Sequence, residues 1–128
     1  MTINKVYSVY YSATGTTQKI ASFLGETIAK KLNIPFEKYN YSLPKRREKI
    51  LEFKENELVI FGTPTYAGRV PNVMLPYLKN NIKGNGALAV PVVLFGNRNF
   101  DDSLIELRNI LEDNNFRTIA GGGFIGEH

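Results

Sequence analysis

Apolar, β-branched and aromatic residues gather into short runs along this chain, and between those runs the apolar positions thin to one in three or four. Lys5 to Tyr11 (KVYSVYY) is such a run, ends at a Ser-Ala-Thr-Gly turn and reads as a first strand. From Thr16 the period changes. Ile20, Phe23, Leu24, Ile28 and Leu32 recur at offsets of 3, 4, 8 and 12, one face of an amphipathic helix that Asn33 and Pro35 end. Ile34 to Tyr39 gives a second strand, and Ser42 with Pro44 reads as the cap and first-turn proline of a helix over Lys45 to Lys54. Leu58 to Gly62 (LVIFG) is continuously apolar, as in a strand buried on both faces. A long loop, Thr63 to Asn72, separates it from a third helix, Val73 to Asn81, and a turn at Lys83-Gly84-Asn85-Gly86 follows. In the next apolar run, Ala87 to Phe95, Pro91 lacks the N–H an inner strand uses, so the fourth strand is expected to start at Pro91 or just after it. Asp101, Asp102 or Ser103 caps a fourth helix with a buried stripe of Leu104, Leu107, Ile110 and Leu111, and Ser103 and Glu106 have capping-box spacing. Thr118 to Ile125 is the fifth strand.

Strands alternating with helices at this spacing predict an α/β domain, one mostly parallel sheet with helices on both faces. The 128 residues suit a single domain with no linker. Two strand orders are common for such sheets, and in both a ligand sits beyond the carboxyl ends of the strands where the winding reverses. In the five-strand order 2-1-3-4-5 that crevice lies between the first and third strands.

Composition narrows the chemistry. Hydrophobic residues make up 43% and charged residues 22%, ordinary for a globular domain. No apolar run reaches the roughly 18 residues that span a bilayer, and MTINKVYS lacks the basic flank and apolar stretch of a signal peptide, so a cytoplasmic protein without a membrane partner is expected. There is no cysteine, so disulfides and thiolate-held metals or iron–sulfur clusters are excluded for this chain. Redox chemistry would need an organic cofactor. The net charge is +4; the cluster Lys45, Arg46, Arg47 and Lys49 suits an acidic partner, a phosphate-bearing ligand or a solvated helix face. Nucleic acid is not expected, because the aromatics sit in strand runs and do not alternate with the basic residues. No catalytic acid–base pair or nucleophile triad is evident, and the single histidine, His128, is terminal.

Three loops carry the candidate chemistry. Ser12-Ala13-Thr14-Gly15-Thr16-Thr17 joins the first strand to the first helix, where outward N–H groups and the positive end of the macrodipole suit a phosphate. Ser12, Thr14, Thr16 and Thr17 add hydroxyls, and Gly15 lets the backbone come close. The loop has neither the triphosphatase pattern G-x-x-x-x-G-K-[ST] nor the dinucleotide pattern G-x-G-x-x-G, which leaves a monophosphate, or a plain Ser/Thr-rich helix cap. The second loop offers Tyr66 as a ring stacker between Pro64 and Pro71, a contact of about 0.5 to 1.5 kcal/mol beyond area burial, or simply as a cover for the sheet edge. The third, Gly96-Asn97-Arg98-Asn99-Phe100-Asp101, offers amides, a second aromatic and a second arginine, or a helix-capping turn. All three lie at one end of one sheet. A phosphate site, two stacking rings and polar atoms for a pyrimidine edge together describe flavin mononucleotide (FMN).

With S-A-T-G-T-T at the position of the phosphate loop, the sequence resembles the flavodoxin-like family. Its segments GTPTYAGRVPN and FGNRNFDD, followed by GGGFIGEH, are most similar to the flavodoxin-like half of fused flavodoxin–ferredoxin proteins, and the likeness covers nearly the whole chain. The resemblance implies a three-layer α/β/α fold with a five-stranded parallel sheet in the order 2-1-3-4-5. It implies FMN phosphate held by Ser12, Thr14, Gly15, Thr16 and Thr17. The ring would lie between Thr63, Pro64, Thr65, Tyr66, Ala67 and Gly68 on one side and Gly96, Asn97, Arg98, Asn99, Phe100 and Asp101 on the other. The function implied is electron transfer or an FMN-dependent oxidoreductase module, with a redox protein or an iron–sulfur domain as partner. The Ala67-Gly68 peptide would change orientation on reduction to bond the protonated ring nitrogen, since Gly68 admits positive φ. Arg69 and Arg98 would stabilise an anionic ring, attract a donor's phosphate, or serve as surface charges.

Two departures stand out. Many flavodoxins are strongly acidic, whereas this chain is net positive. The fold also closes with a helix after the last strand, and none remains after His128. One sheet face is then half covered, which predicts either a fragment of a longer chain or a protomer that closes the face with a partner such as a second copy. Two other readings compete with electron transfer. GNRNF is similar to a loop in the flavodoxin-like activators of manganese ribonucleotide reductases, and the fold also suits an interaction module that has lost its flavin.

Overall fold

The computed structural model describes residues 2–12, 15–66, 69–95 and 101–125, Asp101 by its backbone only. In chain order the elements are β1 (Lys5–Tyr10), α1 (Thr16–Leu32), β2 (Phe36–Asn40), α2 (Pro44–Arg47), β3 (Leu51–Glu52), β4 (Glu57–Pro64), a 3-10 turn at Asn72–Met74 that runs into α3 (Leu75–Asn80), β5 (Ile82–Lys83), β6 (Leu88–Phe95), α4 (Asp101–Asp113), β7 (Arg117–Thr118) and β8 (Gly122–Ile125). The main sheet has the order β2-β1-β4-β6-β7, β8 also lies along β6, and every pairing is parallel. Taken as segments of one strand, β7 and β8 complete the expected order 2-1-3-4-5.

Alternation along the strands divides the core between the two faces. On one face Val6, Tyr10, Leu58, Ile60, Val92 and Leu94 pack with Ala21, Ala29 and their neighbours on α1. On the other, Val9, Val59, Phe61, Ala89 and Val93 meet Tyr77 and Leu78 of α3 and Leu107, Ile110 and Leu111 of α4. The face under α1 stays open towards β8, where Phe124 is 37% exposed, and Phe23 on α1 is 67% exposed. This is the half-covered face that the sequence predicts. Among the described residues no helix is long and apolar enough to cross a membrane.

Four elements differ from expectation. The second helix stops at Arg47; beyond it Leu51–Glu52 pairs with Ile82–Lys83 as a separate parallel ribbon. Phe53, at the end of that ribbon, is buried edge-on against Tyr7 with ring centroids 5.1 Å apart, and tilted against Phe116 at 5.7 Å. Long-range packing thus overrides the local helical reading of Lys45 to Lys54. The fourth strand does not wait for Pro91: it starts at Leu88. The Leu94 carbonyl serves the β4 side, bonding Thr65 N–H, and the Ala89 carbonyl serves the other side, bonding Ile119 N–H. By alternation the missing donor of Pro91 faces the gap between β7 and β8, so no ladder bond is lost. The expected continuous strand from Thr118 to Ile125 is broken at that gap, and a side chain at Gly121 would come within 3.3 Å of the Pro91 ring. The third helix opens with the 3-10 turn at Asn72–Met74 where an α-helical turn is expected.

Candidate functional site

The carboxyl ends of β1 and β4 meet the start of α1 at the reversal of winding. Gly62 makes that approach possible. It pairs with Tyr10, and a Cβ there would lie 3.1 Å from the Thr17 methyl and 3.2 Å from Ala21 Cβ. The first turn of α1 therefore sits directly on the sheet, with Thr17 buried.

Gly15 precedes the helix with φ 92°, a left-handed conformation that costs glycine little, and open space surrounds the place a Cβ would take. Four N–H groups at a helix start have no intrahelical acceptor. The Ser12 hydroxyl accepts two of them, Gly15 N–H at 3.0 Å and Gln18 N–H at 3.1 Å. Those of Thr16 and Thr17 meet no acceptor among the described residues, and no acidic side chain stands in the first turn. Ser12 is itself fixed from behind. Its N–H donates to the Ser42 hydroxyl at 2.8 Å, and the Ser42 hydroxyl donates to the Ser12 carbonyl at 3.3 Å. Arg47 donates to the Ser42 carbonyl at 2.8 Å. Ser42, expected to cap α2, thus braces the loop after β1, and Leu43 takes the cap position with no side-chain bond. Within the basic cluster, Arg47 is committed to this brace and Arg46 lies over the Tyr39 ring at 4.9 Å.

On the other side of the crevice, Thr63 is fully buried and its hydroxyl donates to the Pro64 carbonyl at 3.2 Å. Thr65 donates its N–H to the Leu94 carbonyl at 2.7 Å and shares a hydrogen bond with the Ser103 hydroxyl at 2.9 Å. Tyr66 and Arg69 exchange two backbone hydrogen bonds, 2.9 and 3.0 Å, and so tie the two limbs of the loop, hereafter the Tyr66–Arg69 turn, to each other. Tyr66 is 47% exposed. Burial, and then the neighbouring Tyr11, raise its phenol above the ordinary value. The structure thus places Ser12, Gly15, Thr16 and Thr17 just beyond the carboxyl end of β1, and Thr63, Pro64, Thr65 and Tyr66 at the carboxyl end of the adjacent β4, with Thr63 itself buried. Thr14, Ala67, Gly68, Gly96, Asn97, Arg98, Asn99 and Phe100 lie outside the described residues, and Asp101 opens α4.

Solved structures share this architecture. An archaeal flavodoxin superposes with a TM-score of 0.68 at 16% identity, covering 96% of this chain and 84% of that one. A flavodoxin from Streptococcus pneumoniae TIGR4 gives 0.67 at 15% identity, covering 94% and 83%. A mutant flavodoxin from Fusobacterium nucleatum, bound to FMN, gives 0.63 at 23% identity, covering 92% and 69%. The fold is flavodoxin-like. No protein-family model and no curated protein matches the chain.

Within this flavodoxin-like crevice, Tyr11 is a residue that sequence reasoning passed over. Half-buried at the end of β1, it stands beside Tyr66 and 6.3 Å from the Tyr41 ring. The signal was its place immediately before the Ser-Ala-Thr-Gly turn. Of the roles open to Arg69, the structure shows the exposed charge, here paired with a carboxylate. Its guanidinium forks onto the Glu106 carboxylate, Nε to Oε1 at 3.2 Å and Nη2 to Oε2 at 2.6 Å, and Val70 N–H joins Oε1 at 2.9 Å. With α4 beginning at Asp101, Ser103 lies inside the helix and is not its N-cap, so the expected capping box does not mark the helix start. The Arg69 fork, with the Val70 N–H, holds the Glu106 carboxyl below its ordinary value despite partial burial. A depressed carboxyl stabilises the fold above its unfolded pKa, about 4.3, and loses that contribution as pH falls through the folded value. Thermal melts of Glu106→Gln should accordingly lie below wild type at pH 7 and converge with it only as pH falls through the depressed value of the folded carboxyl. A gap that persists at low pH would contradict this.

Proposed function

We propose that this chain is an FMN-binding electron-transfer flavoprotein of flavodoxin type. The observation that carries the reading is the pair of N–H groups at Thr16 and Thr17 that meet no acceptor among the described residues, at the start of a 17-residue helix, with no described atom within 4 Å of the place a Cβ on the preceding Gly15 would take. These donors suit a phosphate dianion, and the helix dipole favours it. Likeness to flavodoxins, one of them bound to FMN, adds support.

Bound FMN supplies one- and two-electron redox chemistry, and the chain's residues bind and orient it. Thr16 and Thr17 N–H groups hold the phosphate. Ser12, braced by Ser42, fixes the loop that presents them. Tyr11 and Tyr66 offer aromatic faces, and the turn closed by Tyr66 and Arg69 stands on the ring's side of the crevice. A backbone N–H or C=O at that turn can favour one redox state over another, and for one electron a tenfold preference amounts to about 59 mV. Because the chain has no cysteine or cysteine-held cluster, electrons would pass to or from a redox protein or an iron–sulfur domain.

Purified protein incubated with FMN and passed over a desalting column should retain a yellow flavin spectrum at one equivalent. Stepwise anaerobic reduction should then bleach it reversibly. Protein that stays colourless would overturn the reading.

A further inference from the structure

Two limbs of the turn at Tyr66 and Arg69 are held by the same face of one helix. Before the turn, the Thr65 hydroxyl bonds the Ser103 hydroxyl at 2.9 Å; after it, Arg69 and Val70 both bond Glu106. Ser103 and Glu106 are three residues apart on α4, so they stand one turn apart on one side of it. Ser103 is fully buried, and only 16% of the Glu106 side chain is exposed. The turn's own two backbone hydrogen bonds fix its width but not its place relative to the sheet. That place is set at three points: Thr65 N–H on the Leu94 carbonyl, Ser103, and Glu106.

Resting on the FMN reading, we propose that Ser103 and Glu106 are positioning residues that clamp the Tyr66–Arg69 turn to α4 and so set the affinity for the flavin ring, separately from the phosphate. Neither residue needs to touch the cofactor. Glu106→Ala removes the fork and the acceptor of Val70 N–H together. Glu106→Gln keeps an oxygen for Val70 but loses the charge that pairs Arg69.

The test is the affinity of wild type, Glu106→Gln and Glu106→Ala for FMN, riboflavin and inorganic phosphate, with amide exchange of the flavin-free proteins as a second readout. Glu106→Ala should weaken FMN and riboflavin by the same factor, about tenfold, with Glu106→Gln in between and phosphate affinity unchanged. The amides of Tyr66 and Arg69 should exchange faster in Glu106→Ala, while those in β1 and α1 keep wild-type rates. A merely structural role would lower phosphate affinity as well, and that result overturns the proposal. Wild type that binds flavin, with both variants matching it in riboflavin affinity, overturns the proposal alone. Wild type that takes up no flavin overturns the FMN reading and this proposal with it.

Discussion

Replacing Thr16 with aspartate should make the protein slightly more stable and nearly unable to hold FMN. Thr16 is the first residue of α1, is only partly buried, and opens a helix with no acidic residue in its first turn. A carboxylate there meets the positive end of the macrodipole, worth about 0.3 to 1 kcal/mol to the fold. The same carboxylate faces the phosphate that the Thr16 and Thr17 N–H groups would otherwise receive. Two unit charges about 4 Å apart near a protein surface repel by about 4 kcal/mol, and allowing for screening about 2 to 4 kcal/mol remains against a dianion. That corresponds to a loss of roughly 30- to 1,000-fold in FMN affinity. Riboflavin, which has no phosphate, should bind within about twofold of its wild-type affinity on the same argument. Fluorescence titrations with the two ligands, and a melt without either, measure all three quantities. Equal losses for FMN and riboflavin would place the phosphate elsewhere.

Gly25→Ala should give a much larger loss of stability than a change to a good helix former suggests. In a helix interior, alanine is favoured over glycine by about 0.5 to 1 kcal/mol. Here the added Cβ would lie 2.2 Å from Ser8 Oγ and 2.6 Å from Phe36 Cε1, both far inside contact distance. Ser8 is fully buried and its hydroxyl donates to the Ala21 carbonyl at 2.6 Å, so it cannot move aside without leaving that bond. Overpacking costs about 1 to 3 kcal/mol and a displaced buried hydroxyl about 1 to 3 more, so the net effect is about 2 to 4 kcal/mol of destabilisation. For a domain of this size the melting temperature should fall by roughly 8 to 15 °C. Adding Ser8→Ala should recover part of the loss by removing the nearest atom. A higher melting temperature for Gly25→Ala would mean that α1 does not approach β1 and β2 this closely.

These two sites show what the sequence can and cannot reveal. The period from Ile20 to Leu32 is a local pattern, so the helix α1 is legible along one stretch of chain, but its buried face is not. Thr17, Ala21, Gly25 and Ala29 are buried, while Phe23 and Leu32 of the expected stripe are exposed because small residues let the helix lie close on the sheet. The strand order follows from the alternation of elements together with the family likeness. Leu51 to Phe53 is different. Its strand partner is Ile82–Lys83 and its ring neighbours are Tyr7 and Phe116, none of them visible in the window that made it look helical. The braces of the site share that property. Ser42 acts on Ser12 across 30 residues and Glu106 on Val70 across 36, and both occupy positions where a helix-capping role is the simpler local reading. Pro91 illustrates a missing sidedness: whether a proline harms an inner strand depends on which neighbour its nitrogen faces, and only the break between β7 and β8 supplies that answer.

The central claim is that two backbone N–H groups receive a phosphate, and amide NMR reads those groups one by one. On titration with FMN, the Thr16 and Thr17 amide resonances should show the largest saturable downfield shifts. Inorganic phosphate should move them in the same direction at higher concentration. Saturable FMN binding that leaves the amides of Gly15 to Gln18 unmoved would contradict the account.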